Sequence, residues 1–466
     1  MKRTYTLLAI GCGLLFAAST CFAQMYTVTD LGTLGGTVSA ATSINASGQV
    51  AGGSFTNGDL ESHAFRTAPN RAINPATDDL GVLIGNGSYA TGINASGQAV
   101  GQSNGPPNFH ALRAFRTAPN SPINPATDNL STFGGDSASA NAINDAGQVV
   151  GASATGGSVS FFHAFRTVPN NPINPETDDL GTLGGTSASA FGINVSGQVV
   201  GFSLTSDNSI SHPFRTAPNK AINPSTDDLG TLGGSFGSAA HINGFGQAVG
   251  FSEIGDNGIF HAFLVGAHKK INPATDDLGT LGGAYSEATS IDDFGQVVGW
   301  ATTMDGTAHA FIYAGRVMRD LNNLVPSDFA CKVSQAADIN EAGQIAANAE
   351  CGAVAHAILL TPVYQGLVRP PIKADGSSVF SAKRESVSVA FLLNKYGTRT
   401  CTLPAATIAI VRVTDGRLTT ARNAKLSITG CRYAYDLKAN RLGVGVYRAD
   451  ISIEGIMVGH AVFALQ

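Results

Sequence analysis

The sequence predicts an all-β protein: a seven-bladed β-propeller of about 49-residue repeats, closed by the N-terminal strand and followed by an immunoglobulin-like β-sandwich. Three observations predict it. The first is composition. Of 466 residues 56 are Gly, 13% are charged and 43% are hydrophobic. An average domain is about 25% charged, so a charge-driven disordered chain and a long-helix protein are both excluded. Many short strands joined by Gly-, Asn- and Ser-rich turns fit instead. The second is periodicity. The pair Gly-Gln recurs at Gly48, Gly97, Gly147, Gly197, Gly246, Gly295 and Gly343, spaced by 49, 50, 50, 49, 49 and 48 residues. Periods of this size belong to solenoids, propellers or arrays, and helical periodicity is missing. The third is the arrangement of the ends. A strand-like run at 26–34 has no strands before it, and the last unit has no fourth strand after it. Pairing the two completes a seventh blade and leaves no open sheet edge.

Residues 1–23 read as a secretory signal peptide. Lys2 and Arg3 precede an apolar run at 7–18, then Cys21-Phe22-Ala23. The run is too short for a permanent membrane anchor. Four further cysteines, Cys331, Cys351, Cys401 and Cys431, follow it. An even number in an exported chain favours disulfides. Three pairings are open; the simplest joins sequence neighbours, Cys331 with Cys351 and Cys401 with Cys431.

Unit three shows the repeat best. Strand candidates lie at 139–144, 148–153, 162–166 and 179–183, and Asn144-Asp145-Ala146-Gly147 forms the first turn. Asn at its start and Gly at its end suit a hairpin that needs a left-handed residue. The first strand of every unit carries a small residue: Ala41, Ala90, Ala140, Ala190, Ala239, Ala288 or Ala336. Blades converge at an axis, so the innermost strand must be thin.

The motifs Asp-Leu-Gly-Thr-Leu-Gly-Gly (179–185), Ile-Asn-x-x-Gly-Gln-Val-Val-Gly (193–201) and His-Ala-Phe (163–165) resemble the HAF repeat of bacterial exported proteins. The resemblance spans about 26–362. It implies export and a repeat architecture, and no particular reaction.

The expected domains are 24–362 for the propeller, 363–373 for a linker marked by Pro370-Pro371, and 374–466 for the sandwich. Strand-like runs at 386–393, 406–413, 432–437, 445–453 and 457–465 support the sandwich. This segment is similar to the PxKF module at the C-termini of secreted bacterial proteins. It shares Phe380-Ser381-Ala382-Lys383-Arg384, Cys401, Cys431 and the run from Val458 to Phe463, but reads Ser388-Val389-Ala390-Phe391 where the naming Pro and Lys would stand.

Charge is distributed unevenly. From Leu367 onward 14 Lys and Arg face 6 Asp and Glu, a balance of +8. With +2 from Lys2 and Arg3 and −5 overall, the stretch between carries −15. Such a body is a poor match for nucleic acid. In the tail, Arg412, Arg417, Arg422 and Lys425 crowd one stretch and are the expected contact for an anionic polymer.

One His is assigned to each unit: His63, His110, His163, His212, His261, His309 and His356. They fall on the third strand, away from any axis, and no second ligand recurs at metal spacing. A structural hydrogen bond is the expectation. The repeated Gln49, Gln98, Gln148, Gln198, Gln247, Gln296 and Gln344 are expected to serve the fold too. The acidic pairs at 78–79, 178–179, 227–228 and 276–277 raise calcium as a weak alternative. No cofactor is expected.

Four units insert Arg-Thr-x-Pro-Asn before Ile-Asn-Pro-x-Thr-Asp, headed by Arg66, Arg116, Arg166 and Arg215. These loops are candidate binding surfaces, with rigid connectors as the alternative. Trp300, the only Trp, stands where other units have Phe202 or Phe251, and is read as core. No nucleophile elbow, zinc motif or phosphate loop is present. Residues that break the repeat and could do acid–base work are His241, Glu253, Glu287 and Asp338, with Tyr285 nearby. The leading reading is a monomeric exported scaffold, extracellular or periplasmic, that binds an envelope or extracellular polymer or protein. The second is a secreted polysaccharide lyase or hydrolase with its site on one propeller face.

Overall fold

The computed structural model describes residues 24–104, 112–156, 161–255, 257–414 and 417–466. The leader and His110 lie outside them. The described chain is all-β, with many small antiparallel sheets and no α-helix among the described residues.

Every repeat unit forms one small sheet. In unit three the strands are Gly134–Ile143, Val149–Thr155 and Phe162–Arg166. Gly147 ends the first turn at φ 82°, a conformation that L residues with a Cβ rarely adopt. Gly151 sits where the first two strands touch, and a Cβ there would lie 1.9 Å from the Ser139 carbonyl oxygen. The recurring Val-Val-Gly therefore encodes close approach of two strands.

Four strands per unit were expected, and units one and six have them, through Asp79–Gly81 and Val317–Asp320. In units two to five the fourth segment shrinks to an isolated bridge, as at Phe165↔Asp179. The Asp179 carboxylate there accepts the Gly181 N–H at 2.7 Å, and Gly181 turns to φ 73°; unit one makes the same turn at Asp79–Gly81 and keeps its short strand.

Unit seven comprises Lys332–Ile339, Ile345–Cys351 and Val354–Pro362. Its outer strand is Tyr26–Gly32, paired from Tyr26↔Pro362 to Gly32↔Ala357. Tyr26 and Leu31 are fully buried there. The disulfide Cys331–Cys351 spans the base of the same sheet with 4.5 Å between Cα atoms.

Side chains tie each sheet to the next. Asn45 Nδ2 donates to the Asn94 carbonyl (3.0 Å), Asn94 to Asn144, Asn144 to Asn194, Asn194 to Asn243 and Asn243 to Asp292. Asn340 of unit seven donates to Asn45 of unit one at 3.0 Å. Between the sheets lies apolar packing: Val150 and Ala164 of unit three meet Ala190, Val199 and Phe214 of unit four.

The tail has two five-stranded sheets. One contains Tyr364–Arg369, Val387–Lys395, Tyr433–Leu437, Ser427–Ile428 and Thr398–Thr400; the other contains Ser378–Phe380, Ile456–Leu465, Gly445–Ile453, Ala406–Thr414 and Arg417–Lys425. The disulfide Cys401–Cys431 belongs to it. The stretch expected as a linker holds a strand, Tyr364–Arg369, that begins two residues after unit seven ends. One continuous core joins units six and seven to the tail, through Ile312, Leu324, Ile358, Val363, Phe391 and Ile451.

Arg448 anchors the tail on the repeat region. It is 5% exposed, holds Asp450 through two bonds of 2.8 and 3.1 Å and donates to the Asp293 carbonyl at 2.9 Å. Its guanidinium lies 4.6 Å from the Phe294 ring and 5.8 Å from that of Phe245. These two Phe occupy the third turn position of units five and six, where the other units have Ser or Ala. Unit six also replaces the turn Asn by Asp292. A carboxylate cannot donate, so Gln296 reverses: its Nε2 donates to Asp292 (2.8 Å), and its Oε1 is released to accept the Met457 N–H of the tail (3.0 Å).

Two predictions follow from these contacts. A chain lacking residues 24–32 exposes the Val354–Pro362 edge and empties the Tyr26 and Leu31 sites. It is expected to lose several kcal/mol, at about 2–5 kcal/mol per large buried side chain, or to aggregate. Thermal melting with light scattering checks this; an unaltered melt would mean that the strand closes nothing. The second concerns pH. Burial pushes the Asp292 carboxyl up to about 7. Glu341, at the solvent edge of the same junction, is raised as well, to about 8, by partial desolvation and then by repulsion from Asp292 and Asp293. Unfolded carboxyls titrate near about 4, so the folded state binds protons more tightly. Stability is highest below the unfolded value and falls as pH rises through 7 to 8. The melting temperature should therefore drop between pH 5 and pH 8.5, and Asp292→Asn with Glu341→Gln should flatten that slope in calorimetry.

Candidate functional site

The residues that keep the repeat build the repeat. His63 Nδ1 sits 3.0 Å from Asp79, and the same bond recurs as His163–Asp179, His212–Asp228, His261–Asp277, His309–Asp320 and His356–Asp30, at 2.7–3.0 Å. The bond to Asp79 holds the His63 imidazole above its ordinary range. The strand register corrects the expectation for unit two. Arg113, not His110, pairs with Ser103, as His163 pairs with Ser153. Its Asp counterpart is replaced in step by Asn129.

The acidic pairs divide their work. Asp79 takes the His, while Asp78 accepts Asn74 N–H (2.8 Å) and the Thr77 hydroxyl (2.9 Å) to close the preceding loop. Among the described residues no group of three His, Cys, Asp or Glu gathers as a metal site. Gln49, Gln98, Gln148 and Gln344 each donate to an Asn in the Pro-Asn loop of the following unit, Asn120, Asn170, Asn219 and Asn70 respectively. Gln198 donates to the Thr216 carbonyl of its own unit. Gln247 Oε1 accepts from Asn243.

The Arg-headed loops, candidates for binding, are straps. Arg66 donates to the carbonyls of Gly97 and Ser121, Arg116 to Asn171, and Arg166 to Lys220, all in the following unit. Arg215 holds three, on Gly246, Gly266 and Lys269, and burial lowers its guanidinium to about 10. The Ile-Asn-Pro half reaches the other way. Ile73 N–H bonds the Leu31 carbonyl, and Ile123, Ile173, Ile222 and Ile271 bond Leu80, Leu130, Leu180 and Leu229.

The residues that break the repeat converge. A cavity of about 320 Å³ is lined by first-strand residues of all seven units. A second, of about 390 Å³, shares Thr91, Asn141, Phe191, Ala240 and Thr289 with it. The two are one space with two ends.

The first end is polar and lies beside the Asn-x-x-Gly turns. Asp338 accepts the Ser43 hydroxyl (2.9 Å), the Ile44 N–H (2.9 Å) and the Ser290 hydroxyl (2.6 Å). His241 Nδ1 accepts the Ile291 N–H at 3.3 Å and lies 3.4 Å from the Ser290 oxygen. Ser, His and Asp thus meet, but in the wrong order for nucleophilic catalysis: Ser290 gives its proton to Asp338, and the imidazole does not stand between them. This arrangement locks the first strands of units one, five, six and seven together.

The second end is aromatic. Phe191 lies 5.9 Å from Phe202, Phe236 lies 5.9 Å from both Phe251 and Phe260, and Phe251 lies 5.7 Å from Phe260. Among the described residues Glu287 is the single carboxylate lining this end, and no Lys, Arg or His joins it. Its Oε2 accepts the Trp300 indole N–H at 3.2 Å. Burial raises its carboxyl, and the Trp300 bond opposes the rise. Trp300 thus holds the carboxylate that lines the cavity, and Phe202 and Phe251, at the same register, line it directly. Tyr285, two residues before Glu287, is 41% exposed. Glu253 is elsewhere occupied, accepting Gly258 N–H (2.7 Å) and Ser235 N–H (3.2 Å).

The opening has a local cause. Thr42, Thr91, Asn141 and Thr289 each donate to a first-strand carbonyl of the next unit, Ala90, Ala140, Ala190 and Ala336. Units four, five and seven have Phe191, Ala240 and Ala337 at that position, which cannot; unit seven is joined to unit one by Asn348, which bonds Ala41 N–H and carbonyl instead. The Phe cluster and its signal, a unit-by-unit comparison of the residues flanking the first-strand Ala, escaped the reading by motifs. In the tail, Arg412, Arg422 and Lys425 are exposed, and Arg422 and Lys425 lie on Arg417–Lys425, the edge strand of its sheet. Cationic side chains on an edge also deter strand pairing with other chains.

The chain matches no family model, and a search of curated proteins returns no match. Among the described residues no helix is long and apolar enough to cross a membrane.

Arg215→Ala tests the strap reading. Removing a buried donor that satisfies three carbonyls should cost about 2–3 kcal/mol in denaturant unfolding. The Trp300 emission, reporting on the aromatic end, should stay the same in the folded variant.

Proposed function

We propose that this chain is an exported binding scaffold of the HAF-repeat type. In this reading the seven sheets are blades of a β-propeller, and a PxKF-like immunoglobulin sandwich is seated on its turn face. The Asn45-to-Asn340 series of inter-sheet bonds and the Tyr26–Gly32 strand in the last sheet support closure of the ring. The two disulfides are compatible with an oxidising compartment.

One observation carries the binding reading: the positions that depart from the repeat, Phe191, Phe202, Phe251, Glu287 and Trp300, gather at one mouth. Concave, mostly apolar pockets with a few polar groups are the usual form of ligand sites. This mouth lies where the first strands begin, and the tail meets the turns where they end, so the tail leaves it open. The enzymatic alternative asks for two carboxyls facing one cleft. Among the described residues Glu287 is the one carboxylate of the aromatic mouth, and Asp338 is held by Ser43 and Ser290. The geometry thus favours binding.

The partner in this reading is an envelope or extracellular polymer or protein. Incubation of residues 24–466 with a polysaccharide panel tests it. Retention without new chain ends is expected, reduced by a Phe202→Ala, Phe251→Ala variant. New reducing ends or unsaturated products would replace it with the enzyme. The basic tail strand is a second anchor, for anionic polymer. Binding to an anionic matrix should weaken as salt passes roughly 0.15 M, where the Debye length is about 8 Å, and Arg422→Glu with Lys425→Glu should abolish it. Retention that ignores both salt and charge reversal would leave those residues as edge protection.

A further inference from the structure

We infer that the aromatic mouth takes a small organic cation, an ammonium group carried on an apolar aliphatic or aromatic body. The inference rests on the binding reading and names its ligand class.

The argument is one of complementarity. The walls are Phe rings, whose faces are negative and attract cations as well as apolar groups. Most lining donors are already committed. Thr91 and Thr289 give their hydroxyl protons to the carbonyls of Ala140 and Ala336, and Asn141 gives one of its two amide N–H groups to Ala190. What remains is the Ser238 hydroxyl and the second Asn141 N–H, against the acceptor sites of the Asn141 oxygen and the Glu287 carboxylate. A ligand that brings donors therefore fits best. A neutral sugar, which needs donors and acceptors around its whole rim, finds few of the former.

Charge narrows the choice. Glu287 has one neutral partner, the Trp300 N–H, and among the described residues no cationic side chain lines the mouth. Glu287 is half-buried; a carboxylate drawn out of water without a counter-ion is costly, and an ammonium seated against it supplies one. Burial already raises the Glu287 carboxyl, so an incoming cation should return it toward its ordinary value. The −15 balance of the surrounding body favours the approach of cations. Phe236 at 40% and Tyr285 at 41% exposure leave apolar surface around the entrance.

Trp300 is the only tryptophan, so its emission reads this site without a label. Residues 24–466 are titrated with phenethylammonium, with 2-phenylethanol as its neutral analogue, and with cellohexaose, followed by Trp300 emission and by calorimetry. Phenethylammonium should give a saturable change. The alcohol should bind about tenfold more weakly or worse, and Glu287→Gln should weaken the ammonium by a similar factor while leaving the alcohol unchanged. Affinity for the ammonium should also fall as the solution is acidified and Glu287 takes up a proton. Equal binding of ammonium and alcohol, or an unaltered ammonium affinity in Glu287→Gln, would overturn the cation and keep the mouth as a binding site. Binding of cellohexaose alone would do the same in favour of a glycan. Silence of all three ligands in both measurements would overturn the cation and remove the mouth from the binding reading as well.

Discussion

The buried turn asparagine is the interaction on which the repeat region depends. Asn45 accepts the N–H groups of Ser47 and Gln49 on its oxygen and donates from its nitrogen to Gln49 and to the Asn94 carbonyl. One side chain thus fixes its own hairpin, orients the Gln that reaches the next loop, and joins two sheets. Each such bond is worth about 1 kcal/mol net, but leaving the buried amide unpaired would cost about 1–3 kcal/mol. The constraint is cooperative, because no unit can complete its turn without a neighbour to receive the second amide proton. A single unit is therefore not a folding unit, and the last one must find the first.

The exception explains how the tail is attached. Asp292 cannot pass a proton onward, and its unit is where the tail docks. The reversed Gln296 amide meets Met457, and Phe294 meets Arg448. The break in the hydrogen-bonded series and the docking site are one substitution. The Asp292 carboxyl, buried at that junction, resists ionisation, and the attachment is expected to respond to pH for that reason.

The same logic governs the cavity. Where first-strand hydroxyls or amides link neighbouring sheets, the wall is closed and inert. Phe191 and Ala240 have nothing to donate, and the wall there becomes aromatic and open. Function in such a scaffold is written in the departures from its own consensus, because the consensus positions are consumed by folding.

Much of this was legible in the residues. Gly-Gln at near-constant spacing located the units, Asn-x-x-Gly located the hairpins, and the nearest-neighbour cysteines located both disulfides. These signals are local: a left-handed glycine, a turn-capping amide and a period of two need no knowledge of the rest of the chain. The motifs also misled where spacing in sequence differs from register in space. His110 matched the His-Ala motif, yet Arg113 holds that place, because the ladder counts from the strand and not from the motif. The Arg-headed loops, read as binding surfaces or rigid connectors, keep their Pro-Asn tips exposed while the heading Arg bonds carbonyls of the next unit, because guanidiniums seek the carbonyls left at the ends of adjacent strands. The sequence by itself determined the all-β class, the unit boundaries and the outer-strand role of residues 26–32, through turn chemistry and periodicity. Only the tertiary structure decided that Phe191, Phe202, Phe251 and Glu287, spread over nearly a hundred residues, share one mouth. That convergence follows from how the sheets stack against one another, a long-range relation that no local pattern encodes.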